Sequence, residues 1–399
     1  MDSRIPVPAH IPDRVVRDFD FYNLPGTDGG VSAEIHVDWK RVQDTFPDVF
    51  WTPHHGGHWV LTRFAQIERL LLDHGTFSSR RVFLPEGIMP FLIPVQFDPP
   101  EHARYRRLMA PAFTPAALAR ATDRARRAAV ECIEEIAQRG SCEFMEDFAG
   151  VMPVVAFLNL VNLPESDAPY LHGLARRTST LRGDAPQAWV ELADYVKGQI
   201  DERRKSPRED LISSLLTARV DDRPLTDDEI FSMCMLVVSG GLDTVAHMTT
   251  FAACFLAQHP DHRRGLIADP GLLDNAVEEV ARRFGTSNLG RVAVHDTELG
   301  GERIKAGDMV VGIFPLAGLD ERMHQDPLAV DWGRKLTRHL AFGAGVHTCI
   351  GIRLAKREIR IFLEEWLKRI ADFHLAEGTQ PRMRSGLINL INDVHLVVG

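Results

Sequence analysis

"FGAGVHTCIG", residues 342–351, sets one cysteine among glycines, two residues after a histidine. The chain then reads "IGIRLAKREIRIFLEEWLKRI", where Ile350, Leu354, Ile359, Phe362, Trp366 and Ile370 recur at steps near three and four. That period predicts a helix with one buried face. Cys349 therefore sits at a helix N-terminus, where free N–H groups and the dipole favour a thiolate. Gly343, Gly345 and Gly351 permit positive φ and let a flat ligand approach the backbone. Phe342 can shield the sulfur from water. Two other readings stay open on these residues alone. Most free cysteines are small buried hydrophobes. Zinc is the other, although no further Cys or His pair has zinc-finger spacing.

The rest of the chain bounds the answer. Its 399 residues are 45% hydrophobic and 25% charged, an ordinary globular balance. No Gly/Ser or Pro-rich linker, repeat or low-complexity block divides them, so 1–399 is read as a single domain. Cys132, Cys142, Cys234, Cys254 and Cys349 are odd in number and contain no CxxC. This argues for a reducing cytoplasm over a disulfide framework. The net charge of -9 argues against nucleic acid. The first twenty residues have no apolar run resembling a signal peptide. The longest apolar stretch, "IFSMCMLVVSGGLDTVAHMTTFAACFLA", is interrupted by Ser239, Asp243 and His247, so it reads as a buried helix of a cytoplasmic protein without a membrane span.

Along the chain, "FWTPHHGGHWVLTRF" predicts a hairpin turning at Gly56-Gly57, and "FAQIERLLLDHGTF" a helix stopped by Gly75. From "DPPEHARYRRLMAPAF" to about Leu367 helix dominates, interrupted by the strand-rich "RVAVHDTELGGERIKAGDMVVGIF". The closing "GLINLINDVHLVVG" returns to a strand pattern. The expectation is a mainly α domain with minor β.

Three more clusters carry chemistry. In "SGGLDTVAHM", Gly240-Gly241 lie inside a helix begun by the capping box Thr226–Glu229. Each glycine costs about 1 kcal/mol relative to Ala there. Either close packing on another helix or a widened turn over a ligand, with Asp243 and Thr244 beside it, would explain them. In "AVEEVARRFG", Glu279 and Arg282 have the spacing of an ordinary surface ion pair, worth a few tenths of a kcal/mol. In "DPPEHARYRR", His102 and Arg106 share a helical face, either as a solvated basic face or as a carboxylate clamp.

Together these resemble the cytochrome P-450 superfamily. The cysteine stretch matches FGxGxHxCxG, "GGLDT" matches (A/G)GxDT, and "EEVAR" contains ExxR, all in the family's order. The resemblance implies a triangular helical domain with small β-sheets, its haem b between the long central helix and the cysteine-loop helix. It implies Cys349 as the iron ligand, with Phe342, Gly343 and Gly241 beside the haem. His102, Arg106, Arg291 and His347 would meet the propionates. Asp243 and Thr244 would relay protons to the oxygen undergoing reduction, O2 being the co-substrate. Glu279, Arg282 and Arg334 would lock the core behind the haem.

The closer resemblance is to the bacterial camphor 5-monooxygenase group, through "LPEGIMPFLIPVQFDPPEH", "VSGGLDTVAHM", "AGLDERMHQDP" and "WLKRIADFHLAEG". It implies hydroxylation with electrons from NADH through a ferredoxin reductase and a 2Fe–2S ferredoxin. Docking would use a basic face including Arg104, Arg106, Arg107, Lys335, Arg338, Arg353, Lys356 and Arg357. The group's ketone-binding tyrosine has no counterpart, and Met89 or Pro90 takes its place. Phe83, Met89, Leu236, Gly240, Leu387 and Ile388 would form an apolar pocket, with hydroxyls from Ser239, Thr286 and Ser287. The expected substrate is a terpenoid or an ionone-like norisoprenoid, and the expected state a monomer. The alternatives are a peroxide-using or rearranging haem-thiolate enzyme, and a non-enzymatic haem sensor or carrier.

Overall fold

The computed structural model describes residues 4–179, 183–335 and 338–399. Local chemistry sets many of its boundaries. Helix Pro115–Arg139 begins where the Thr114 side chain accepts the Ala117 N–H, with Pro115 supplying a fixed φ at the first helical position. It ends at Gly140, whose φ of 73° favours a residue without Cβ. This helix packs against Met152–Val161 and against Ile352–Arg369, the helix that follows the cysteine turn. Trp366, Phe362, Phe144 and Phe148 interlock beneath that contact, all fully buried.

The central apolar stretch is two helices. Asp227–Gly240 starts on the complete capping box of Thr226 and Glu229. The chain leaves helical geometry at Gly241–Asp243 and resumes as Thr244–Gln258. The combined segment Asp227–Gln258 is the one stretch among the described residues long and apolar enough to cross a membrane by composition. Most of its side chains are buried inside the protein, and the break falls within it.

The predicted hairpin is present. Val49–Thr52 pairs antiparallel with His58–Leu61, Trp51 opposite Trp59. Met309–Ile313 adds parallel to the second strand, Asn288–Ala293 pairs with it antiparallel, and Phe77–Ser78 closes the edge. The strand-rich insertion thus completes a sheet begun by the N-terminal hairpin. The C-terminal strands Leu390–Asn392 and His395–Val398 join two smaller sheets.

Behind the cysteine turn, the expected surface pair Glu279–Arg282 is wholly buried. Arg282 donates two hydrogen bonds to the Glu279 carboxylate, at 2.7 and 2.8 Å, and others to the carbonyls of Gly318, Pro327 and Ala329. Arg334 Nε adds a bond of 3.1 Å to Glu279. Every strong donor and acceptor is used, the condition under which a buried ion pair holds. The spacing of three fits a surface pair equally well. The carbonyls that make it a core lock come from a distant loop.

Candidate active site

Cys349, Thr244, His102, Arg106 and His347 line one cavity of about 340 Å³. The cysteine turn is shaped by two glycines in the left-handed region, Gly343 at φ 69° and Gly345 at φ 67°. A Cβ on Gly345 would also press to 3.1 Å from the Leu71 carbonyl oxygen. The Cys349 N–H donates to the Phe342 carbonyl, folding the loop back on itself. The sulfur opens onto the cavity, and Cys349 is solvent-accessible there. Burial raises its pKa, against backbone hydrogen bonds from Gly351 and Ile352 and the positive charge of Arg106. The expected helix-end stabilisation of a thiolate is therefore outweighed within the protein, and a bound cation must favour ionisation.

On the central helix, Thr244, Gly240, Gly241 and Leu236 belong to the cavity wall. The glycines serve different ends. A Cβ on Gly241 would strike the Phe157 ring at 2.4 Å, so its absence permits close packing on Met152–Val161. A Cβ on Gly240 would meet nothing within 4 Å, so its absence keeps space open. Asp243 is not in the wall. It is half-buried, and its carboxylate accepts a hydrogen bond from the Ser179 hydroxyl, which lies at the end of helix Ala168–Ser179. Burial raises its pKa to about 6 despite that bond. The pair is divided: a hydroxyl on the cavity and, next to it in sequence, a carboxyl that changes charge near neutral pH.

The basic side chains are less than fully paired. Arg291 is 2% exposed and, among the described residues, donates only to its neighbour's carbonyl, Gly290 O. Burial pulls its pKa down to about 10. Arg106 donates to the Thr348 carbonyl and has no carboxylate partner among the described residues. His102 Nε2 is buried with no hydrogen-bond partner among the described residues. His347 shares a 2.9 Å hydrogen bond with Ser79 Oγ, and its ring stands 4.3 Å from that of His102. Burial lowers both imidazole pKa values, to about 4 for His102 and about 3 for His347, with neighbouring arginines pressing the same way. Both rings are therefore neutral at pH 7. Half-buried Arg106 and the unsatisfied His102 nitrogen on the cavity wall, with buried Arg291 outside the wall but close enough to depress both imidazole pKa values, form a cradle for an anion.

The remaining wall is apolar: Phe113, Phe157, Val245, Met248, Leu289 and Phe314 belong to it. Thr286 and Ser287 also line it, and neither hydroxyl has a hydrogen-bond partner among the described residues. Phe83 and Met89 are half-buried against a neighbouring apolar cluster, outside the wall. Pro90 is exposed, and Pro94 and Val95 are the wall residues from that loop. Ser239, Leu387 and Ile388 also lie outside it. The Ser239 hydroxyl turns to the Leu236 carbonyl, and Ile388 bridges to Ser287 from behind.

One charged wall residue had not been expected. Glu358 is 3% exposed, has no hydrogen-bond or ion-pair partner among the described residues, and burial raises its pKa to about 8. Leu354, Glu358, Phe362 and Trp366 follow one another at intervals of four, so an acid stood in register with the buried face. On the far side of the turn, Glu278 binds His339 at 3.0 Å and Lys356 at 2.6 Å, and the Lys356 ammonium lies 5.8 Å from the centre of the Phe342 ring. Arg338 pairs with Glu68 and Arg104 with Asp221. Lys335, Arg107 and Arg353 are exposed, and none has an ion pair among the described residues.

Residues 131–269 and 266–392 match the sequence profile of the family described as Cytochrome P450. The chain is 34% identical to the probable cytochrome P450 127A1 of Sinorhizobium fredii, across 98% of this chain and 96% of that one. The crystal structure of CYP101J2 superposes with a TM-score of 0.88 at 34% identity, covering 99% of this chain and 100% of its own. That of cytochrome P450 CYP101C1 gives 0.88 at 33%, covering 98% and 99%. The site fits the haem b of that family: a thiol on the cavity, apolar walls, and the half-buried and buried cations Arg106 and Arg291, whose balance two propionates would complete.

Proposed function

The chain belongs to the cytochrome P450 family, an oxidoreductase family that uses haem b and O2, and from that premise we propose that it hydroxylates an apolar terpenoid or norisoprenoid. Electrons would come from NADH through a ferredoxin reductase and a 2Fe–2S ferredoxin. The observation that carries the reading is one cavity lined by Cys349, by Thr244 and by apolar side chains together. Bound haem supplies the redox chemistry, and a thiolate ligand favours O–O cleavage.

The chain's own residues do the rest. Cys349 is the ligand. Arg106, Arg291 and His102 hold the anionic edge. The Asp243 carboxyl, close to half-protonated at pH 6, takes up a proton while Ser179 steadies it, and the Thr244 hydroxyl presents hydrogen-bonding capacity to the cavity. Glu358 is mostly protonated at pH 7 and can donate a hydrogen bond into the same space. This polar equipment supports a monooxygenase over a sensor or carrier, which needs no proton supply. In Thr244→Ala, NADH consumption should continue while hydroxylated product falls and hydrogen peroxide rises. Asp243→Asn should slow oxygen consumption by roughly 10²-fold, the usual scale of a lost general acid. If both variants remain coupled at the parent rate, protons arrive by another route.

The substrate reading rests on shape. Apolar burial contributes roughly 25 cal/mol per Å², enough to hold a ligand of ten to fifteen carbons without a tyrosine. Thr286 or Ser287 can meet a single carbonyl, worth about 0.5–1.5 kcal/mol, so deleting that carbonyl should weaken binding by about 2- to 10-fold. A terpenoid panel scored by the low-to-high-spin shift tests this, followed by turnover with NADH, reductase and ferredoxin. A norisoprenoid ketone should shift the spectrum further than camphor. Tightest binding by camphor with a single alcohol product would overturn it.

For the electron partner, the paired state of Lys356 matters. Lys356→Glu would set a second carboxylate against Glu278 and disturb Phe342, so exposed Arg353 is the better probe. Arg353→Glu should slow electron transfer from an acidic ferredoxin at low salt. The difference should shrink toward 1 M, where the Debye length is about 3 Å. Equal rates at low salt would place the partner elsewhere.

A further inference from the structure

We propose that Asp20, His54 and His55 form a binding site for a zinc-type divalent cation at the turn of the N-terminal hairpin. One ligand atom from each of the three lies within 4.8 Å of the others. Tetrahedral zinc with N and O ligands at 2.0–2.2 Å sets them roughly 3.3 Å apart, so small side-chain rotations close the site. Two imidazoles and a carboxylate suit zinc and its transition-metal neighbours, whereas calcium and magnesium prefer oxygen-only sets.

The surroundings favour such an ion. His54 and His55 are 3% and 6% exposed, so the cluster is held inside the protein. His54 Nε2 donates to Asp18 Oδ1 at 2.5 Å, and His55 Nε2 donates to Asp20 Oδ1 at 2.7 Å. Carboxylates on ligating histidines fix the ring and raise its basicity, which places Asp18 as an outer partner. A third histidine lies nearby. His58 is fully buried, its Nδ1 donates to the His54 carbonyl, and its Nε2 has no hydrogen-bond partner among the described residues. Its ring centre lies 6.4 Å from that of His55. Such a nitrogen is rare in a folded interior, and His58 stands just outside the three-residue set. None of these residues lines the haem cavity. The ion would pin the segment around Asp18 and Asp20 to the hairpin.

The test uses the untagged, haem-loaded full chain, freed of metal by a chelator and titrated with Zn²⁺. About one Zn²⁺ per chain is expected, with Ca²⁺ and Mg²⁺ failing to compete. His55 occupies the left-handed region at φ 52°, ψ 40°, which asparagine tolerates. His55→Asn therefore removes the imidazole while keeping the turn. It and Asp20→Asn should weaken Zn²⁺ binding by roughly 100-fold or more, leaving the CO-difference spectrum and turnover unchanged. His259→Ala, at an exposed histidine in the junction between helices Thr244–Gln258 and Pro260–Ala268, should bind as the parent does. Substoichiometric Zn²⁺, unchanged affinity in His55→Asn, or equal loss in His259→Ala would overturn the site.

Discussion

Cys349→His is expected to abolish the strongly red-shifted Soret band of the reduced, CO-bound protein and to take hydroxylation to background. Of the five cysteines, only Cys349 opens onto the cavity. Cys142, Cys234 and Cys254 are buried elsewhere, and burial pushes each of those thiols up to about 12. Cys132 is half-buried and pushed up to about 11. None can replace it. Histidine suits iron but lacks the thiolate's electron donation, so haem can remain bound while the spectrum changes. Measuring haem content beside the CO-difference spectrum separates these effects. A retained thiolate-type band in Cys349→His would sink the assignment.

Arg282→Ala should have the largest effect on stability. It leaves the Glu279 carboxylate buried with Arg334 as its remaining ionic partner, and frees the carbonyls of Gly318 and Pro327, while that of Ala329 keeps only Arg334. Breaking a buried pair from one side costs about 3–5 kcal/mol, a large fraction of the 5–15 kcal/mol that separates folded from unfolded chains. Poor haem retention and loss of soluble protein should follow. Arg282→Lys should rescue little, because an ammonium cannot reproduce the guanidinium's two-point grip on the carboxylate. Denaturant unfolding of the haem-loaded variants checks this. A midpoint shift under 1 kcal/mol would mean that the lock is ornamental.

What the sequence made legible was mostly local. The Thr226–Glu229 capping box, the glycine turn at 343–345 and the hairpin at Gly56-Gly57 depend on neighbours a few residues apart. Partners brought together by tertiary folding were harder to see. Nothing near Ser179 announces that it will hold Asp243, sixty-four positions later. The choice of Pro94 and Val95 over Met89 and Pro90 depends on how a proline-rich loop lies across its neighbours, which periodicity does not describe. Lys356 read as a free docking charge because Glu278 lies on another helix. Glu358 differs, since its place in the apolar stripe was readable and only its charge suggested the surface.

The unpaired cations Arg106 and Arg291 bear on how this protein is made. A chain that reaches its native shape before haem arrives must hold buried Arg291 and half-buried Arg106 with no carboxylate partner among the described residues, beside a cavity whose thiol burial keeps protonated. Haem binds the folded chain and not the unfolded one, so it shifts the folding balance by mass action, by about 2.7 kcal/mol at a hundred times its dissociation constant. Yield in a producing cell is then governed by porphyrin supply as much as by translation, and protein made under haem starvation should partition into aggregates.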